Sequence, residues 1–250
     1  MPRFFVSPEQ INDNTVTVSG DDAFHISRSL RMAAGEHITV CDTLGYEYDC
    51  ILESFSENVT ASIVSKQLCE TEPPFWTTVW QALPKGDKID SIIQKSVECG
   101  ASEIRLFESK YCIVKSDAKS DQKKSERRQR IALEAAKQCG RGILPKVVSP
   151  VSFESMIKEA SLADIPIFCF EGENTLGLGS IIKAKKQELG SHKKPTVSIV
   201  IGSEGGFSEG EAEIAKKHGM LMAGLGKRIL RTETVSTFVL GALVCEFELG

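Results

Sequence analysis

Nowhere in this 250-residue sequence does an uninterrupted apolar stretch approach the ~18 residues needed to cross a bilayer, so no membrane span is expected. The first residues do not carry a basic segment followed by a long apolar run, and no signal peptide is expected. None of the eight cysteines forms a C-x-x-C pair. That removes the common zinc and redox motifs and points to reduced thiols in a cytoplasmic protein, with no metal site. Strong charge of either sign is missing: the formal net charge is −4. This counts against indiscriminate nucleic-acid binding, which rests on phosphate neutralisation, but leaves room for a local basic patch. There is no phosphate loop ending in Gly-Lys-Ser/Thr and no G-x-G-x-x-G fingerprint. Internal repeats and long low-complexity tracts are absent as well.

What is present has ordinary globular composition, 41% hydrophobic and 26% charged. The length suits two domains. The most informative stretch is residues 197–235. An apolar β-branched run, Val197–Ile201, ends in Gly202, and Glu204, Gly205 and Gly206 follow. A second apolar run, Met220–Leu225, ends in Gly226 and leads into Lys227-Arg228-Ile229-Leu230-Arg231 and Thr232-Glu233-Thr234. Two strands therefore each empty into a glycine-containing loop, where a ligand can approach the backbone closely. In open α/β sheets, ligands bind where loops leave the carboxyl ends of strands. Taken singly, either loop is as well explained by a tight turn. Together they fit a nucleoside-like cofactor held largely by backbone groups.

Before residue 72 the pattern is one of short strands: Phe4–Val6, Thr15–Val18, His37–Cys41, Tyr46–Leu52 and Val59–Val64, punctuated by glycines. This predicts a small β-barrel. A helix over Phe24–Met32 interrupts it and places Arg28 and Arg31 on one face; a lone His25 reads as structural. Leu68–Trp76, with two prolines, reads as a linker. A domain boundary near residue 72 divides the chain into 1–72 and 73–250.

Beyond it the period changes. Thr78–Leu83 is a strand, Asp87 caps a helix with apolar Ile89, Ile92, Ile93 and Val97, and Glu103–Phe107 is the next strand. This β-α-β order predicts a parallel sheet in an α/β domain. Lys85 sits where the first of these strands ends. Lys119–Arg130 carries six Lys or Arg against two acids and leads into Gln138-Cys-Gly-Arg141. A solvated helix face explains such a run; phosphate contact through Arg127, Arg130 and Arg141 is the alternative. Ser152 caps a helix over Phe153–Ala160, and Ile165–Phe170 is a buried strand ending at Glu171, a candidate acceptor for a cofactor ribose or amino group. Lys183–Lys194 reads as a polar connection. Ser208 and Glu211 form a capping box for a helix over Glu209–His218, and Val235–Phe247 reads as a helix buried on several faces.

Ile201-Gly-Ser-Glu-Gly-Gly-Phe-Ser208, with Leu225-Gly-Lys-Arg-Ile-Leu-Arg-Thr-Glu-Thr234, resembles the signature of the 16S ribosomal RNA uridine N3-methyltransferases of the SPOUT superfamily. The resemblance runs from Pro2-Arg3-Phe4 to the C-terminus. The departures are mild: Ser203 where the family usually has proline, Val235 where alanine is commoner, and Cys139 in place of a serine in the Gln-Ser-Gly-Arg element. The resemblance implies a PUA-like N-terminal barrel that helps hold RNA, a C-terminal parallel-sheet domain with a trefoil knot, and a homodimer. It implies S-adenosylmethionine as cofactor, bound by Glu171, Ile201, Gly202, Glu204, Gly206, Leu225, Gly226, Ile229, Leu230 and Thr234. It implies 16S ribosomal RNA, in the small subunit or its precursor, as partner, contacted by Arg3, Arg28, Arg31, Lys85, Arg127, Arg130 and Arg141.

The expected chemistry is direct displacement at the cofactor's methyl group by uracil N3. Arg231 is the candidate cation for the developing uracil anion. Glu204 is a candidate proton acceptor or a loop-orienting group, and the sequence does not identify the base. Ribose 2′-O methylation by the same fold, or a non-catalytic RNA-binding assembly factor that keeps the loops, remain alternatives at this stage. A nucleotide triphosphatase is weakened by the missing phosphate loop.

Overall fold

The structure, a computed structural model, describes residues 1–114, 118–190 and 194–250, and of residues 118–121 the backbone alone. Lys119 and Asp121 of the basic run, and residues 191–193 of the expected polar connection, therefore lie outside the described side chains or residues. The chain divides into two compact units, Met1–Glu72 with Ala136–Leu144, and Pro73–Ala135 with Pro145–Gly250.

The first unit is built on a six-stranded sheet. Its strands are β1 (Arg3–Phe5), β2 (Ile11–Asn12), β3 (Thr15–Val18), β4 (His37–Cys41), β5 (Tyr46–Phe55) and β6 (Val59–Leu68), in the order β1-β4-β5-β6-β3-β2. Only the β1–β4 pairing is parallel. Alternation puts Val16 and Val18 of β3, and Ile38 and Val40 of β4, into a core shared with Phe4, Ile26 and Leu52. The helix expected over Phe24–Met32 is different. Helix α1 covers Gly20–Phe24 and passes into a single π turn, His25–Ser29. Arg31 lies beyond it at φ +53°, in the left-handed region. Arg28 and Arg31 are both exposed, but they do not share a helix face. His25 packs edge-on against Phe4.

The second unit alternates strands and helices: β7 (Trp76–Ala82), α2 (Lys88–Glu98), β8 (Glu103–Glu108), α3 (Ala118–Cys139), β9 (Lys146–Ser152), α4 (Phe153–Ala160), β10 (Ile165–Cys169), β11 (Leu176–Gly177), α5 (Leu178–Leu189), β12 (Thr196–Ile201), α6 (Glu209–Lys217), β13 (Leu221–Gly224) and α7 (Thr232–Phe247). The last turn of α3 falls in the first unit. The seven strands form one sheet in the order β11-β13-β10-β12-β7-β8-β9, and every pairing is parallel. Four residues in a row of β10 and five of β12 are buried, as in a sheet covered on both faces.

Local chemistry sets the element ends. The Ser152 hydroxyl accepts from the Ser155 amide at the start of α4, and Ser208 and Glu211 cap α6 reciprocally. Asp87 occupies the position before α2, but its side chain makes no capping bond. Much of the expected polar connection over Lys183–Lys194 is instead helical, because α5 buries Leu178, Ile181 and Ile182 on one side. Helix α7 packs against α2, α5 and β12. Among the described residues, no helix is long and apolar enough to cross a membrane, and no group of three or more His, Cys, Asp or Glu is placed to hold a metal.

Candidate active site

Strands β13, β10 and β12 are neighbours in the sheet, and the loops leaving their carboxyl ends enclose a cavity of about 820 Å³. Cys169, Phe170 and Glu171 follow from β10, Ile201–Phe207 from β12, and Gly224–Leu230 from β13. Arg231, Thr232, Glu233 and Val235 enter from the start of α7, and Lys88 from the first turn of α2. Much of the wall is glycine backbone. A Cβ at Gly202 would stand 3.0 Å from the backbone of Gly206, so the loop folds back on itself at a point with no room for a side chain. The Gly206 amide closes that turn on the Ser203 carbonyl at 2.9 Å. Gly226 meets nothing within 4 Å, but its φ of +103° is one that residues with side chains rarely adopt.

Two buried side chains join the β12 loop to α7. The Thr232 hydroxyl donates to the Gly202 carbonyl at 2.7 Å. The Gln81 amide, from the end of β7, donates to Thr232 Oγ1 at 2.9 Å and to the same carbonyl at 3.3 Å. A charge network covers the other side. Lys88 Nζ lies 2.8 Å from Glu204 Oε1 and 3.6 Å from Glu233 Oε2, and the Lys85 amide donates to Glu204 at 3.1 Å. Partial burial pushes the Glu204 carboxyl up. The Lys88 ammonium and the surrounding amides outweigh this and hold it below the ordinary carboxylate value. Glu204 is thus a weak base that fastens its loop to the β7–α2 junction. Arg231, exposed, sits just before the first turn of α7 and accepts the Thr234 amide on its carbonyl at 2.8 Å. Desolvation pushes the Cys169 thiol up to about 12.

Residues 71–244 match the model of an RNA methyltransferase domain, and residues 18–61 that of an RNA methyltransferase PUA domain. The first match covers more than half of the chain. The chain belongs to the RNA methyltransferase family. This methyltransferase is 34% identical to the ribosomal RNA small subunit methyltransferase E of Bacillus subtilis, over 100% of this chain and 98% of that one. It is 30% identical to the enzyme of the same name from Synechocystis, over 96% and 76%. Among solved structures, the Neisseria gonorrhoeae ribosomal RNA small subunit methyltransferase E bound to S-adenosyl methionine superposes with a TM-score of 0.83 at 28% identity, covering 99% and 98%. A Legionella pneumophila putative methyltransferase with bound SAM gives 0.82 at 27%, covering 98% and 97%.

In this methyltransferase the cavity brings together nine of the ten residues expected to bind a cofactor. Thr234 is the exception. Two residues past Thr232 is ~200° around a helix, and the exposed Thr234 side chain lies off the cavity wall that Thr232, Glu233 and Val235 form. The residues expected to contact RNA do not form one set. Arg141 is buried: at 3% exposure its Nε and Nη2 clasp the two Glu72 carboxylate oxygens at 2.9 and 2.7 Å. Burial raises the Glu72 carboxyl, but the Arg141 charge and the Ile143 and Gly142 amides bring it below its ordinary value. Arg3 is likewise held inside the first unit, by Glu47, Cys41 Sγ and the Arg141 carbonyl. Both arginines lock the return segment 136–144 in place and present no free guanidinium to a ligand. Arg127 is exposed and ion-paired with Asp90 of α2, and Arg28, Arg31, Lys85 and Arg130 are exposed. Sequence reasoning missed Gln81, Lys88 and Thr232. Gln81 left one signal, a polar side chain in the interior of an otherwise apolar strand end.

Proposed function

We propose that this methyltransferase uses S-adenosylmethionine to methylate N3 of a uridine in 16S ribosomal RNA, in the small subunit or its precursor, and works as a homodimer with the knotted topology of its superfamily. The observation that carries the reading is the meeting of both glycine loops and the start of α7 around one cavity. The cavity fits the cofactor. Its volume lies within the ~300–1,000 Å³ of small-molecule sites. Its wall of glycine backbone with Ile201, Leu225 and Leu230 suits a flat heterocycle, and Glu171 at a strand end suits ribose or amino hydrogens.

Bound there, S-adenosylmethionine supplies a methyl carbon made electrophilic by its positively charged sulfur. The residues of this chain do the rest. The backbone around Gly202, Gly206 and Gly226 fixes the cofactor so that nitrogen, carbon and sulfur align, which is where much of the acceleration in a displacement arises. Uracil N3 must lose its proton, which passes to solvent water, before it is a useful nucleophile. The Arg231 guanidinium stabilises the negative charge that spreads onto the uracil carbonyl oxygens. Glu204 holds the loop rather than taking that proton, since its ion pair with Lys88 lowers its basicity.

The test uses purified protein, methyl-labelled S-adenosylmethionine and small subunits from cells lacking the enzyme, with the RNA digested to nucleosides afterwards. Label in 3-methyluridine is the expected result; label in a 2′-O-methyl nucleoside, or none, contradicts it. Sedimentation of the same preparation at twice the mass of one chain tests the dimer.

A further inference from the structure

Tyr111 stands at the rim of the cavity and has no part in the chemistry described so far. Tyr111 is 46% exposed. It follows β8 on a short turn pinned at both ends. The Cys112 amide donates to the Ser109 carbonyl at 3.1 Å, and the Ser109 amide to Cys112 Sγ at 3.3 Å. Between them the Lys110 amide donates to Glu211 Oε1 at 2.8 Å, and Glu211 is itself fixed as the capping residue of α6. The turn rests against the β12 loop: a Cβ at Gly205, a cavity residue, would lie 2.9 Å from the Cβ of Tyr111. Glycine at 205 thus makes space for Tyr111. One ammonium group stands beside the ring, with Lys110 Nζ 5.9 Å from its centroid. Lys85 is exposed where its own amide meets Glu204, the neighbour of Gly205.

An exposed aromatic ring on a hydrogen-bonded turn, with an ammonium group beside it and set against the loop that walls the cavity, is suited to one class of ligand. We infer that Tyr111 is the platform on which the target base stacks once it is drawn out of the RNA, with Lys85 and Lys110 taking the phosphates beside it. The inference rests on the reading that the substrate is an RNA base. N3 lies on the pairing edge of uracil, so it reaches a methyl carbon only when the base is unpaired and its edge points into the cavity. Support must then come from the face of the base, which a ring at the rim provides. Enzymes that modify bases extrude them and hold them by stacking on aromatic side chains.

The test compares Tyr111→Ala, Tyr111→Phe and Tyr111→Trp in the full chain. Tyr111→Ala lowers kcat/KM for small-subunit RNA about tenfold or more, the scale of losing one base–aromatic stack. Its calorimetric Kd for S-adenosylmethionine stays at the parental value, and Tyr111→Phe restores the rate, because a stack needs the ring and not the hydroxyl. Tyr111→Trp gives an added emission that RNA quenches. A parental kcat/KM in Tyr111→Ala overturns the proposal. So does failure of Phe to restore it, or a loss of cofactor affinity as large as the loss of rate, which makes Tyr111 a loop support only. The identity of the labelled nucleoside is read separately. A product other than 3-methyluridine sinks the proposed reaction, while the Ala–Phe comparison on that product still decides the platform. If no product forms, RNA quenching of Tyr111→Trp decides, and unquenched emission counts against it.

Discussion

In the proposed mechanism, Arg231 is the residue on which the chemistry turns. It lines the cavity, stays exposed, and engages the first turn of α7 through its carbonyl, which leaves the guanidinium outside that bond. An interaction that strengthens only in the transition state lowers turnover more than affinity. Arg231→Ala should therefore slow single-turnover methylation by roughly 10²-fold, with cofactor and RNA affinities falling much less. Lysine should restore part of the rate, since it keeps the charge and loses the planar fork. A near-parental rate at saturating substrates removes the catalytic role.

The Glu72–Arg141 pair makes a different prediction. Breaking a buried pair leaves an uncompensated charge, so Glu72→Gln should cost about 3 kcal/mol at neutral pH. The folded-state carboxyl is depressed below its ordinary 4.5. Its contribution is thus fully present above that value and lost as pH falls through the folded value. The gap between variant and parent, followed by thermal unfolding, should hold from pH 7 down to about 4.5 and close below it; a gap that grows on acidification contradicts the account. Arg141 also marks where residue-level reading stopped. Its position after Gln138-Cys-Gly is legible as special, but whether a guanidinium faces RNA or a carboxylate 69 residues away is decided by tertiary contact.

At the scale of elements, the glycine loops carry the prediction. Gly226→Val places a β-branched residue at φ +103°, and Gly202→Ala drives a Cβ to 3.0 Å from the Gly206 backbone. Each should weaken S-adenosylmethionine binding more than tenfold, a loss above ~1.4 kcal/mol. Unchanged calorimetric affinity in a folded variant would detach that loop from the site. These loops were legible in sequence because a β-branched run stopped by glycine has a local cause. So were α4 and α6, whose caps lie within three residues of the helix start. The expectations that failed depended on distant partners. The segment from Phe24 on packs Ile26 into the first unit's core through a π turn that no periodicity announces. Residues 183–189 of the expected polar connection are helical because Leu178, Ile181 and Ile182, just ahead of them in α5, are buried by the rest of their unit.

For the molecule as a whole, the parallel α/β order was readable from strands alternating with helices, and the sheet order was not. The chain steps outward from β7 to β8 and β9, then crosses to β10, leaving a place that β12 fills later. That crossing sets the ends of β10, β12 and β13 side by side and creates the cavity. The return of residues 136–144 to the first unit was equally invisible. The division also separates the proposed roles. Arg28 and Arg31 belong to the first unit and every cavity residue to the second. Replacing both arginines with alanine should weaken RNA binding and flatten its salt dependence, because phosphate contacts release counterions. Cofactor affinity should stay parental. An unchanged RNA affinity and salt slope would show that this face does not dock RNA.

The central claim is methylation of uridine N3 in 16S ribosomal RNA, and primer extension on that RNA from a deletion strain tests it most directly. A methyl group on N3 blocks the pairing edge and stops reverse transcriptase, whereas a 2′-O-methyl group leaves that edge intact. The account predicts a stop at one uridine in the parent strain. The stop should vanish on deletion, return with the parental gene, and stay absent with Arg231→Ala. A stop that survives deletion contradicts it.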